Sequence, residues 1–130
     1  MNRVGLGLVF AVGLAVAACS VATPSDNHVE PITGSVGVLG TREHTYVYSR
    51  RGESFLKITN VNPSINGSLY VGLGTVVSGF CSVFTASIQP VVLNREINFG
   101  LLDQGTYCLQ IFDPGVLVVT TTYTGTFSYP

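Results

Sequence analysis

Charge is scarce in this chain: six Lys or Arg and seven Asp or Glu among 130 residues give a formal net charge of −1. No stretch gathers enough basic residues to counter a phosphate backbone, which argues against nucleic-acid binding. No stretch clusters acids either, which weakens a calcium site. There are two histidines, His28 and His44. Neither has a cysteine or histidine neighbour at metal-ligand spacing, so no metal or other cofactor is expected. Tryptophan is absent. No segment sustains a helical period framed by capping residues, and only one apolar run is long.

That run opens the chain. Arg3 is followed by residues 4–16, which carry no charge, and then by the small residues Ala17 and Ala18. A positive start, an apolar stretch and a small-residue cleavage site make a secretory signal. A spanning helix needs about 20 apolar residues; this run is shorter and broken by glycines. Leu14-Ala15-Val16-Ala17-Ala18-Cys19 resembles the bacterial lipoprotein signal, in which an aliphatic and two small residues precede a lipidated cysteine. The resemblance implies that the chain is cut before Cys19 and the thiol acylated, with palmitate or a similar chain. Ser20 in place of Asp implies sorting to the outer membrane, facing the periplasm or the cell surface. Several acyl chains at about 0.8 kcal/mol per buried methylene hold a protein to a bilayer effectively permanently.

Removing residues 1–18 leaves 112, enough for one domain. That part keeps five basic residues (Arg42, Arg50, Arg51, Lys57, Arg95) and all seven acids, a balance near neutral. The three cysteines are Cys19, Cys81 and Cys108. With Cys19 lipidated, Cys81 and Cys108 remain as a pair, and export permits them to form a disulfide. The alternative is two buried free thiols. A staple across just under ~30 residues is worth roughly 3–4 kcal/mol by chain entropy, a large term for a domain with a small core.

Residues 19–33 are rich in Ser, Thr, Pro, Asp and Asn, with Pro24 and Pro31 and no periodicity. They read as a flexible tether, with the domain spanning 34–130. From there, runs of Val, Ile, Thr, Tyr and Phe are broken by glycine, proline and asparagine, as in β-structure. Strands are expected at 35–39, 43–49, 54–61, 68–75, 80–88, 95–101, 105–112 and within 116–129. His44, Tyr46 and Tyr48 share one face of their strand. Leu56 and Ile58 point inward on theirs, with Lys57 and Thr59 outward. Leu69, Val71 and Leu73 face away from Gly72 and Gly74, whose bareness suggests close approach of another backbone. Arg50-Arg51-Gly52, Asn66-Gly67 and Asp113-Pro114-Gly115 are turn signals, and Asn62-Pro63 ends a strand. Seven to eight short strands predict an all-β, small antiparallel β-sandwich, jelly-roll-like, after a cleaved signal helix. A membrane barrel needs at least eight strands of about 9–11 residues each, more than this length offers.

Gly105-Thr106-Tyr107-Cys108-Leu109-Gln110-Ile111-Phe112-Asp113 resembles the "GTYYVRVY" segment of bacterial pre-peptidase C-terminal (PPC-like) domains, and Tyr123-Thr124-Gly125-Thr126-Phe127 resembles their final "YTLTV" strand. The likeness spans roughly residues 35–130. It implies a jelly-roll-like sandwich of the kind attached to secreted enzymes or standing alone, some members binding matrix protein or polysaccharide. Ser68-Leu69-Tyr70-Val71 keeps only the hydrophobic part of that family's "DLYV" and lacks its Asp-rich pair, and no protease domain precedes it, which weakens any transfer of calcium binding or targeting. The same segment is loosely similar to the "D-x-G-x-Y-x-C" end of immunoglobulin domains through Asp103, Gly105 and Tyr107, but Cys108 comes one residue early and there is no tryptophan. Gly105 still permits a sharp corner, and a Tyr hydroxyl can tie a loop down.

No catalytic constellation stands out. His44 would need Asp103 or Asp113 beside it and a nucleophile, and no nucleophile elbow is present. Gly72-Leu73-Gly74 lacks the helix a phosphate loop requires. Asn66-Gly67-Ser68 is a glycosylation sequon that serves a turn more simply. Arg50 and Arg51 read as a solvated hairpin tip or a contact for acidic sugar or lipid headgroups. Tyr46, Tyr48, Tyr70, Tyr123 and Tyr129 could form a face for stacking on sugar rings, with core packing as the plainer role. The expected function is a non-catalytic, membrane-anchored lipoprotein whose sandwich binds a protein or glycan at the cell envelope, with Tyr46, Tyr48, Tyr70, Arg50 and Arg51 as the candidate ligand surface. The rivals are a structural envelope component packed against a membrane or machine partner, and last a small hydrolase.

Overall fold

The computed structural model describes residues 24–64 and 67–130. The expected signal segment, Cys19 and Asn66 lie outside the described residues. Nine strands follow in order: β1 (His28–Val36), β2 (Thr41–Tyr48), β3 (Gly52–Asn62), β4 (Tyr70–Val77), β5 (Phe80–Val83), β6 (Gln89–Pro90), β7 (Glu96–Leu102), β8 (Gly105–Phe112) and β9 (Thr121–Tyr129). Short 3-10 turns occupy Pro24–Asp26 and Thr85–Ser87. Among the described residues no helix is long and apolar enough to cross a membrane.

The strands form two antiparallel sheets, ordered β1-β9-β3-β7 and β2-β8-β4-β5, with β6 also pairing β4. The chain passes back and forth between the sheets, and β5 and β6 together fill one strand position beside β4. This is the eight-position jelly roll, so the expected sandwich is what forms, but this position is split: the strand expected at 80–88 ends at Val83, and the chain rejoins the sheet beyond it as β6. The split has a local cause: after Val83 the chain makes the Thr85–Ser87 turn before Gln89 rejoins the sheet.

Alternation places the core. Tyr46 and Tyr48 of β2, Leu56 and Ile58 of β3, Val71 and Leu73 of β4, Tyr107, Leu109 and Ile111 of β8, and Tyr123 and Phe127 of β9 are all buried between the sheets. Aromatic rings fill the middle, with Tyr48 and Tyr107 centroids 4.4 Å apart and Tyr46 and Phe127 4.5 Å apart. Tilted ring pairs at this spacing add to the burial of their area.

The domain begins earlier than residue 34. β1 starts at His28 and pairs with β9 along its whole length, from His28 opposite Tyr129 to Val36 opposite Thr121. The expected tether through Thr33 is therefore corrected: residues 28–33 are strand. Pro31 is tolerated because β1 is an edge strand, where a missing N–H faces outward. The polar composition that suggested a linker belongs to the exposed side of that edge, while Ile32 and Val36 point inward. Asn27 fastens the entry, its Nδ2 donating to the Glu53 carbonyl at 2.8 Å and to Ser128 Oγ at 3.0 Å.

The expected close approach at Gly74 is present and explains the disulfide. Two strands flanking a third in a flat sheet stand about 9–10 Å apart. Cys81 of β5 and Cys108 of β8 lie on opposite sides of β4, yet their Cα atoms are 5.8 Å apart and their sulfurs are bonded. This requires β5 to fold over the outer face of β4. It does so above Gly74, where a Cβ would run into the Ser82 backbone carbonyl. The β5 segment then continues across β4, with Phe84 N–H donating to the Leu73 carbonyl at 2.8 Å and Ser87 Oγ accepting from Leu73 N–H at 2.9 Å.

Candidate functional site

The five residues expected to form a ligand surface do not come together. Tyr46 and Tyr48 are 7% and 1% exposed and belong to the core, so they are corrected from surface to interior. Burial raises the pKa of both hydroxyls. Arg50 and Arg51 follow β2 at one end of the sandwich, whereas Tyr70 opens β4 at the other. Arg50 Nη2 donates to the Asp26 carbonyl at 2.8 Å. Arg51 Nε stands 3.4 Å from Asp103 Oδ1 in a pair open to water, an arrangement worth little energy.

Tyr70 does lie on an outer surface, and its neighbours form a small site. Tyr70 is paired in register with Phe112 of β8, and their ring centroids are 6.1 Å apart. Two residues back along β8, Gln110 Nε2 donates to Glu43 Oε1 of β2 at 3.0 Å. All four project from the outer face of the second sheet. Tyr70, Gln110 and Phe112 are half-buried and Glu43 is exposed. The β5 segment walls one side, setting Val83, Ser87 and Ile88 over Gly72. Two aromatic faces beside an amide and a carboxylate can stack on a sugar ring and bond its hydroxyls. Phe112, Gln110 and Glu43 were not singled out from sequence. Their signal was present in the outward alternation of β8, in which Cys108, Gln110 and Phe112 share one face.

His44 is half-buried on β2. Its Nε2 stands 2.6 Å from Tyr123 Oη of β9. Desolvation, then the Arg42 charge, lower the His44 pKa. Burial pushes the Tyr123 hydroxyl up to about 12 against the pull of Arg42. At neutral pH a neutral hydroxyl and a neutral imidazole thus share this hydrogen bond. Gly34, opposite Tyr123 in β1, makes room: a Cβ there would stand 2.5 Å from Tyr123 Oη. The carboxylates considered as partners of His44 are engaged elsewhere. Asp103 pairs with Arg51. The buried Asp113 carboxylate accepts from the backbone N–H groups of Leu39, Gly115, Val116 and Leu117 at 2.7–3.0 Å. Desolvation pushes its pKa up, but those four donors outweigh it and hold it at about 2.

Gly105 and Tyr107 make the expected corner, with Tyr107 Oη donating to the Asp103 carbonyl at 2.8 Å. At the sandwich edge, Tyr129 Oη donates to Glu30 Oε1 at 2.6 Å. This bond, then burial, raises the Tyr129 pKa to about 12. Among the described residues, no group of three or more His, Cys, Asp or Glu is arranged to hold a metal ion. No family model matches the chain, and no curated protein matches it either.

Proposed function

We propose that this chain is a bacterial lipoprotein with a PPC-like sandwich that acts as a non-catalytic binding module at the cell envelope. Lipid on Cys19 holds it to the outer membrane, and a glycan is its ligand. The observation that carries the ligand is the half-buried Tyr70–Phe112 pair beside Gln110 and Glu43, on a face whose wall is held by a disulfide. The bonded Cys81–Cys108 pair supports export, because such bonds persist in oxidising compartments, and it leaves Cys19 as the third cysteine of the count. The jelly-roll strand order is the architecture the PPC resemblance implies. The binding half is tested by retention on envelope polysaccharides: Tyr70→Ala and Phe112→Ala each abolish it, while Arg51→Ala leaves it intact. Retention unchanged in both aromatic variants overturns the site. The anchor is tested by intact-mass measurement of membrane fractions from wild type and Cys19→Ala. Acyl mass and membrane retention lost together in the variant support it, and an unmodified wild-type chain contradicts it.

A further inference from the structure

The sandwich end where β1 finishes and β9 begins carries two neighbouring loops, residues 37–40 and 113–120. They expose aliphatic side chains: Leu39 is 75% and Val118 86% accessible, and Val38, Val116 and Val119 are each about half accessible or more. Exposed apolar residues scattered singly are ordinary, but five in two adjoining loops form a patch, which marks a contact with a membrane or another protein. The only ionisable residue in either loop is Asp113, and it is buried.

The loops are locked to each other. The Asp113 carboxylate takes Leu39 N–H from the first loop and three N–H groups from the second. Asp113 N–H donates to the Gly40 carbonyl, and Gly40 N–H to the Gly37 carbonyl. Leu117 is buried beneath as a plug. Leu39 sits in left-handed backbone at φ 56°, uncommon for a leucine, and the bond to Asp113 holds it there with its side chain outward.

We infer that these two loops are a bilayer-inserting tip. Three observations favour lipid over a protein groove. The side chains project from the end of the sandwich. The exposed side chains of both loops are aliphatic apart from Thr120, and neither loop exposes a charged group that could set the register of a protein contact. The N–H groups of Leu39, Gly40, Gly115, Val116 and Leu117 are satisfied from within, which lowers the cost of taking that part of the backbone out of water.

The tip is distant from the tether. β1 enters at the opposite end and runs nine residues, roughly 30 Å, to reach it. Asn27 and the Asp26 carbonyl are held against the domain, so the seven residues from 19 to 25 span at most about 25 Å. If Cys19 holds lipid as proposed above, a domain standing upright on its anchor presents the tip to a second, facing bilayer; only this last point rests on that proposal.

The test places an environment-sensitive nitrobenzoxadiazole probe at the tip of the full chain, by Val118→Cys in a Cys19→Ala background. The same label at Val47→Cys, an exposed site on β2, is the control. Vesicles of phosphatidylcholine, with and without phosphatidylglycerol, are added under non-reducing conditions. The expected result is a blue shift at 118, quenching by acyl-chain-brominated lipid, no change at 47, and equal response in both vesicle types. Adding Leu39→Asp, a residue that tolerates left-handed backbone, or Val116→Asp raises the lipid concentration needed by at least tenfold with the far-UV spectrum unchanged. A probe at 118 that stays in water on both vesicle types, or a shift that survives both Asp variants, overturns the inference; the first outcome assigns the patch to a protein groove. Because Cys19 is absent from every arm, failure here leaves the intact-mass test of the anchor untouched.

Discussion

Cutting the Cys81–Cys108 bond tests the placement of β5 over β4. The cysteines are 27 residues apart. Closing a loop of that length removes denatured-state entropy worth about 3.6 kcal/mol at 25 °C. Replacing both by alanine should therefore lower stability by roughly 3–4 kcal/mol, and the midpoint of thermal unfolding by about 15–25 °C for a domain near 100 residues. Gly74→Ala should cost about 1–3 kcal/mol in the oxidised protein, because its methyl group runs into the Ser82 carbonyl while the disulfide keeps β5 from lifting away. In the Cys81→Ala/Cys108→Ala background β5 is free to rise, so the same change should cost at least ~1 kcal/mol less, a coupling typical of residues in contact. Urea unfolding followed by far-UV circular dichroism gives all four corners of the cycle. A loss below about 1 kcal/mol for the double cysteine variant, or additivity within ~0.5 kcal/mol across the cycle, would show that the bond and the glycine do not act on one crossing.

Asp113 should impose an acid limit. Its folded pKa of about 2 lies below the ordinary 3.8, so its stabilising contribution is complete above pH 3.8 and is lost as pH falls through about 2. Asp113→Asn should flatten the acid limb in that window and lower stability at pH 7, both read from acid and urea unfolding. Tyr107→Phe removes the bond to the Asp103 carbonyl and should cost about 0.5–1.5 kcal/mol with the fold retained; no change in the urea midpoint would deny the corner its role. Gly34→Ala should displace the Tyr123 ring from His44 and cost about 1–3 kcal/mol, and the His44 imidazole resonances should shift by NMR; unchanged resonances would mean the ring accommodates the methyl group.

Much of the fold was legible because it depends on local pattern. Period-two alternation assigned faces to β2, β3 and β4, and counting cysteines identified the staple. What alternation cannot say is which of two faces meets the other sheet when tyrosine lines one of them. Tyr46 and Tyr48 suit a wet surface as well as the plainer dry core, and it was the packing of Phe127 and Tyr107 against them that decided. The start of β1 was hidden because an edge strand with one buried side reads like a linker, and Pro31 reinforced that reading. The role of Asp113 was hidden for a different reason. Its turn is local, but Leu39, which completes its set of donors, lies 74 residues away, and nothing in a linear pattern joins them.

The crossing of β5 also governs what the molecule shows to its own copies. Along β4, residues 74–77 are paired by β5, Leu73 by Phe84 and Ser87, and residues 70–71 by β6, while Val91 N–H bonds the Leu69 carbonyl. A glycine- and valine-rich strand that would otherwise template self-addition, the first step toward amyloid-like stacking, is thereby sealed. Oxidation of two thiols thus guards colloidal behaviour as well as folding free energy, and reduced chains should be the ones that seed insoluble material.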